Sequence, residues 1–268
     1  MMRSLWSASS GMLAQRLNVD IISNNLANVN TTGYKKSRAE FKDLLYETVK
    51  RPNVYQQGQG TPVGLQVGHG VRSSATTRDF TGGNLQQTGN TFDLAIEGEG
   101  FFMVEKPDET RAYTRDGSFK VSLDGADRYL VTSEGYYVLS ADEDYIVIPE
   151  GYSDISISGD GLITGLDEDG TPEEIGQIGL VKFLNPEGLL ATGNNLFEET
   201  SASGEYQLKE DTTDAGYGSI IQGFLEMANV QVVEEMVNLI TAQRAYEVNT
   251  KAIQTSDEML ALANNLRR

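Results

Sequence analysis

His69 is the only histidine in the chain of 268 residues, and "GHG" sets it in a glycine-flanked loop. A catalytic imidazole works between a nucleophile and an orienting group. Neither stands near His69, so it reads as a surface histidine. Ser7, Ser9 and Ser10 have no base to activate them. Carboxylates cluster at Asp142-Glu143-Asp144 and at Asp167-Glu168-Asp169-Gly170. The second run lacks the alternating ligands and closing glutamate of a calcium loop, and both read as solvated turns. "GEG" at 98–100 lacks the spacing of a dinucleotide loop and precedes a strand-like run, not a helix. Paired carboxylates for glycoside hydrolysis remain open, but the aromatics do not group along the sequence as a sugar platform. The chain has no cysteine, which removes disulfides, zinc-thiolate sites and a thiol nucleophile. These residues lead to an expectation of no catalytic group, no cofactor and no metal ligand.

The elements that carry these residues are set off by glycine and proline. Residues 1–32 hold one glycine, Gly11, and no proline; residues 224–268 hold neither. All six prolines and the other 27 glycines lie between them. Breakers mark turns, so the chain reads as helix, turn-rich middle, helix. The middle, over residues 91–200, reads as β. "RAYTRDGSFKVS" has an Asp-Gly hairpin signal at Asp116-Gly117. The runs "RYLVT", "GYYVL", "DYIVIP", "ISISGDGLIT" and "IGLVKFL" follow as short strands, and Gly98 and Gly100 mark a tight bend. Residues 37–90 read as a connecting region, with a polar stretch lacking strong periodicity at 50–75, and residues 201–229 as a return connection. The fold class is α+β: an N-terminal helix in 1–36 and a C-terminal helix in 230–268 form a coiled-coil-like assembly domain beside a mainly β middle domain.

The helices carry seven-residue repeats. Leu5, Met12, Val19 and Leu26 share one position, and Ala8, Gln15, Ile22 and Val29 fall three residues later. At the other end Val232, Leu239, Tyr246, Ile253 and Leu260 share one position. A sustained seven-residue period is a coiled-coil seam; the alternative is an amphipathic helix packed on its own domain. A helix over 230–266 would span roughly 55 Å at about 1.5 Å per residue. Asparagine is a poor helix former, yet Asn24, Asn25, Asn28 and Asn30 crowd the end of the first repeat. In an apolar seam an asparagine fixes register. On that reading Asn24 and Asn25 pair with Asn238, Gln243 or Asn249. Asn28 and Asn30 instead mark a fraying helix end, with Gly33 as its left-handed cap.

The formal net charge is −18, which argues against a nucleic-acid or anionic-membrane partner, since both need a basic face. Residues 1–36 carry four basic and one acidic group, and residues 224–268 four basic and six acidic, so the middle holds nearly all the excess. Nearly neutral terminal helices suit burial in an assembly beneath a solvated, acidic outer domain. The N-terminal "MMRSLWSASSGMLAQ" is interrupted by serines and does not read as a cleaved signal peptide, and no apolar run is long enough for membrane insertion.

Four stretches carry a resemblance. "SGMLAQRLNVDIISNNLANVNTTGYKKSRAEF", "QVGHGVRSSATTRDFTGGNLQQTGNTFDLAIEGEGFFMV", "YTRDGSFKV" and "ANVQVVEEMVNLITAQRAYEVNTKAIQTSDEMLALAN" cover well over a third of the chain. Together they resemble the bacterial flagellar basal-body axial proteins of the rod and hook family. "RAEFKDLLYETVKRP" followed by "GLQVGHGVR" is similar to the distal rod pattern, with the proximal rod as the alternative. The resemblance implies a structural subunit, not an enzyme. It implies self-association into a helical rod that transmits motor torque to the hook, with adjacent proximal rod and hook-side axial proteins as neighbours. It also implies passage through the flagellar export apparatus without a cleaved signal, and a place in the basal body within the cell envelope. Leu5, Met12, Val19, Ile22, Leu26 and Val29, with Val232, Leu239, Tyr246, Ile253 and Leu260 and the polar Asn24, Asn25, Gln243 and Asn249, are the expected assembly interface. A discrete coiled-coil dimer and an envelope hydrolase are the competing readings.

Overall fold

The computed structural model describes residues 2–52, 63–124, 127–149, 151–167, 170–209 and 216–265. It contains two long helices and a mainly β middle, an α+β arrangement. The chain divides into two units. One comprises residues 1–27, 37–78 and 231–268; the other comprises 28–36 and 79–230.

The first unit holds α1 (Met2–Ala27) and α2 (Val232–Asn265). It also holds β1 (Ser37–Asp43), β2 (Tyr46–Lys50), β3 (Leu65–Gly68) and β4 (Val71–Arg78). β1 pairs antiparallel with β4 and β2 with β3. These strands fall in the stretch expected to be a connection. β2 is exposed along its whole length and β4 along most of it, so no apolar alternation was needed and none is written in the sequence. Residues 53–62 of the expected connection lie outside the described residues.

The second unit is β throughout. Its strands are β5 (Leu85–Gln87), β6 (Leu94–Glu97), β7 (Phe101–Glu105), β8 (Arg111–Thr114), β9 (Lys120–Asp124), β10 (Asp127–Val131) and β11 (Tyr137–Val138). Then come β12 (Ser153–Ile157), β13 (Leu162–Leu166), β14 (Pro172–Gln177), β15 (Leu180–Lys182), β16 (Leu190–Gly193), β17 (Leu196–Glu198), β18 (Gln207–Leu208), β19 (Ser219–Gln222) and β20 (Phe224–Glu226). The largest sheet has nine strands, running β16-β17-β8-β7-β11-β10-β9, with β15 also on β7 and β18 on β15. β7 lies at its heart. Phe102 and Val104 join a core with Leu94, Leu130, Ile163 and Ile178. Phe101 and Met103 join the opposite one, with Tyr113, Phe183 and Phe197. A strand buried on both faces needs an unbroken apolar run, which is why "FFMV" does not alternate. Each fully buried side chain of this size contributes roughly 1.5–3 kcal/mol.

Three expectations change here. Asp116-Gly117 does not close a hairpin: β8 pairs with β7 and β17, and β9 with β10. Thr114 Oγ1 accepts from Asp116 N–H at 3.0 Å and Asp116 Oδ1 from Ser118 N–H at 3.1 Å, so the side chains turn the chain locally. Gly117 is present because a Cβ there would lie 1.7 Å from the Leu94 carbonyl oxygen. "DYIVIP" forms only isolated bridges, Tyr145 to Leu139 and Val147 to Tyr129, not a strand. Gly33 is not the cap of α1, which ends six residues earlier at Ala27.

Gly33 has φ +67°, and its N–H donates to the Glu226 carbonyl at 2.8 Å. A Cβ there would sit 2.5 Å from Asp116 N and 2.7 Å from Arg115 C. Both the left-handed backbone and the close approach require glycine. Gly33→Ala is therefore expected to cost about 2–3 kcal/mol, from the disfavoured φ and the backbone clash together. Thermal unfolding of the purified full chain checks it, and an unchanged midpoint would contradict this role.

Candidate assembly interface

α1 and α2 pack against each other in an antiparallel pair. Ser4 Oγ lies 3.2 Å from Ser256 Oγ, a Cβ on Gly11 would lie 2.9 Å from Asn249 Nδ2, and Asn25 Nδ2 donates to Glu235 Oε2 at 3.4 Å. The residue numbers of each pair add to 260, and Asn18 and Ala242 fall on the same register. The seam thus repeats every seven residues, but its members are small or polar. Asn25, Glu235, Ala242 and Ser256 are all buried in it. Small residues let helix backbones approach closely, and paired polar groups fix one register, since a slip strands each of them.

Asn25 does more than pair with α2. Its Oδ1 accepts from Ser37 N–H at 2.9 Å and its Nδ2 donates to Ser37 C=O at 2.9 Å. The side-chain amide thus completes the backbone bonding of the first residue of β1. This accounts for one asparagine in a helical stretch. The mates expected from the sequence are corrected: Asn25 meets Glu235 and Ser37, Asn249 faces Gly11, and Asn238 and Gln243 are exposed. Asn24 is exposed, one position off the seam.

The apolar repeats lie to the side of this seam. Leu5, Met12, Val19 and Leu26 each sit one residue beyond a seam position and are half-buried. Ile22 is buried. Val29 lies past the helix and packs with Tyr34, Ala228 and Val230 in the second unit. On α2, Leu239, Ile253 and Leu260 are half-buried, while Val232 and Tyr246 are exposed. Beside them Val233, Met236, Val237 and Ile240 form an apolar surface, with Val237 54% exposed. On α1, Trp6 and Leu13 are exposed one heptad apart. The small and polar heptad is used within the chain, the apolar one is half-buried beside it, and Trp6, Leu13, Val233, Met236, Val237 and Ile240 are exposed.

Known proteins match this chain along its length. A family described as flagella basal body rod protein matches residues 5–35, most of α1. Flagellar hook protein FlgE/F/G D1 domain matches 95–165, and flagellar basal body rod FlgEFG protein C-terminal matches 221–266. A flagellar basal-body rod protein FlgG from Borreliella burgdorferi is 52% identical over the whole of both chains. The chain belongs to the FlgG family. FlgG relatives from Buchnera aphidicola, 45% identical over 99% of this chain and 100% of its own length, and from Bacillus subtilis, 40% identical over the whole of both, span the same length.

In this FlgG-family chain the second unit holds a buried charge cluster that the sequence reading missed. Lys35 Nζ lies 2.6 Å from Glu226 Oε1 and donates to the Thr81 carbonyl at 2.7 Å. Gly83 N–H donates to the same carboxylate oxygen at 2.8 Å, and Arg115 Nη1 lies 3.4 Å from Glu226 Oε2. All three charged side chains are buried. Burial pushes Lys35 and Arg115 below their ordinary values, and the Glu226 carboxylate opposes that shift in both. Arg115 also donates to the Gly98 carbonyl at 2.9 Å and lies over the Phe101 ring. Asn229 accepts from Lys36 N–H at 2.7 Å and donates to the Asp79 carbonyl at 2.8 Å. The cluster ties residues 33–36 to residues 226–229, joining the start and end of the second unit. One signal was legible: Glu226 is a lone carboxylate in the run "GFLEMANV".

No group of three or more metal-ligating side chains occurs among the described residues. His69 Nε2 lies 3.7 Å from Glu47, which is itself paired with Arg3 at 2.6 Å. Glu143 is held by Arg111 and accepts from Tyr206, a bonded turn. Glu168 and Asp169 lie outside the described residues.

Proposed function

We propose that the chain is a structural subunit of the flagellar basal-body distal rod, polymerising into a helical tube that carries motor torque to the hook. The observation that carries this reading is the set of exposed apolar side chains, Trp6 and Leu13 on α1 and Val233, Met236, Val237 and Ile240 on α2, beside a polar seam already satisfied within the chain. An exposed apolar face this extended marks an interaction surface. Contacts that repeat head to tail without closing generate a filament. The helices then form the inner, coiled-coil-like assembly domain, and the β-rich region stands outside it. The interface comprises the half-buried Leu5, Met12, Val19 and Leu26 on α1 with Val232, Leu239, Tyr246, Ile253 and Leu260 on α2, and Ile22 is buried beneath it. Asn25 and Asn249 set the register, and proximal rod and hook-side axial proteins cap the two ends. The subunit reaches its place through the flagellar export apparatus. It acts by position and stiffness, with no enzymatic step.

The test is Leu26→Asp in cells lacking the native copy. The charge is expected to abolish incorporation into isolated basal bodies, by roughly tenfold or more on an immunoblot, because a charge in an apolar contact costs several kcal/mol. Incorporation at the wild-type level would overturn the assignment of this face.

A further inference from the structure

Three tyrosines spaced eight residues apart in sequence meet on one face of the large sheet. Tyr129 on β10 and Tyr137 on β11 lie 5.4 Å apart at 77°. Tyr145 lies 4.9 Å from Tyr137 at 46° and 6.2 Å from Tyr129 at 86°. The rings meet as walls of a corner, not as the flat platform on which a sugar ring stacks. Tyr145 is 45% exposed, and its hydroxyl donates to Glu105 Oε1 at 3.1 Å. Glu109, exposed and held at φ +58°, lies near enough to Tyr145 to help raise its phenol. Electron-rich ring faces beside carboxylates attract a cation and repel an anion.

The complementary chemistry is found on the first unit of the same chain. Lys42 on β1 stands directly opposite Arg72 on β4, and both are exposed. Neither has an ion pair among the described residues. Like charges facing each other across a strand pair are destabilising unless a partner neutralises them. The charge balance of the two units points the same way. The first unit has twelve basic and nine acidic residues, and the second nine basic and thirty acidic.

We propose that the Lys42–Arg72 pair of one subunit docks on the Tyr129–Tyr137–Tyr145 corner of a second copy, with Glu105 and Glu109 facing the two cations. The contact joins different surfaces of the two copies, so it propagates instead of closing. It rests on the rod reading and adds to it a polar contact outside the helices. A basic segment of some other protein is the rival occupant.

The absence of cysteine makes a direct test available. Arg72→Cys and Glu109→Cys are combined in one chain and expressed without the native copy. Isolated basal bodies are treated with a short bismaleimide. The double variant is expected to give a ladder of linked subunits, and each single variant none. An incorporated double variant that stays monomeric, or that links to a different protein, overturns the docking. Charge exchange decides independently, including where the cysteine variants fail to assemble. Lys42→Glu with Arg72→Glu, and Glu105→Lys with Glu109→Lys, are each expected to lower incorporation by about tenfold, since facing like charges disfavour association. All four changes together are expected to restore it to within about twofold, as re-paired charges do. A fourfold variant no better than either parent overturns the proposal. Wild-type chain absent from basal bodies would instead refute the rod reading, and the docking with it; wild-type chain present without the ladder or the rescue refutes the docking alone.

Discussion

Replacing Glu226 by glutamine is expected to destabilise the β-rich unit by about 3–5 kcal/mol, the cost of leaving buried charge uncompensated. The variant keeps the side chain's shape and removes the only carboxylate paired with both Lys35 and Arg115. Two buried cations then face each other across a neutral amide. A loss of that size lowers the unfolding midpoint of a unit this large by roughly 10 °C or more. Lys35→Met is the informative control, because it leaves Glu226 paired with Arg115 and brings an apolar side chain of similar length. Its cost is expected to be clearly smaller, since the Glu226 carboxylate keeps Arg115 as a partner and no buried charge is left uncompensated. Calorimetry of the purified chains checks both. Equal midpoints for wild type and Glu226→Gln would mean that the cluster does not hold residues 33–36 to 226–229.

Ala242→Asp is the second large effect, and it acts on the other unit. Ala242 is buried in α2, and the register of the helix pair places Asn18 opposite it. A carboxylate there must be dehydrated or protonated, at a cost of several kcal/mol. The seam offers small and polar contacts with little apolar burial to offset that cost. Long helices in water owe most of their stability to packing, so the pair is expected to open. Far-UV circular dichroism should lose roughly half or more of its helical signal, as unpaired helices are marginal. The calorimetric transition of the β unit is expected to persist, because that unit has its own two-sided core. Unchanged helicity would contradict the seam as described.

These two sites were unequally legible. The helices could be read from glycine and proline placement and from repeats, and α2 spans Val232–Asn265 within the expected 230–268. The repeats that stood out were apolar, and they lie beside the intrachain contact. Ser4, Gly11, Asn18 and Asn25 also repeat at seven, but serine, glycine and asparagine do not register as a seam under an apolar template. The buried cluster escaped for another reason: Lys35, Arg115 and Glu226 are far apart in sequence, and only strand pairing brings them together. The tyrosines of the corner are only eight residues apart, but the register that brings their rings onto one face is not written in that spacing. β2 and β4 were missed because exposed strands carry no alternation. The family resemblance supplied what periodicity did not, since relatives match this chain over its full length.

The central claim is that the helices satisfy one seam within the chain and reserve their apolar faces for other subunits. Val237→Asp tests it most directly, since Val237 is 54% exposed on α2. One measurement suffices: the amount of this variant in isolated basal bodies, relative to wild type, for a chain whose unfolding midpoint in solution is unchanged. The account predicts a normally folded subunit that is absent from the rod. A normally folded Val237→Asp chain built into rods at the wild-type level would show that this face stays in solvent, and would contradict the account.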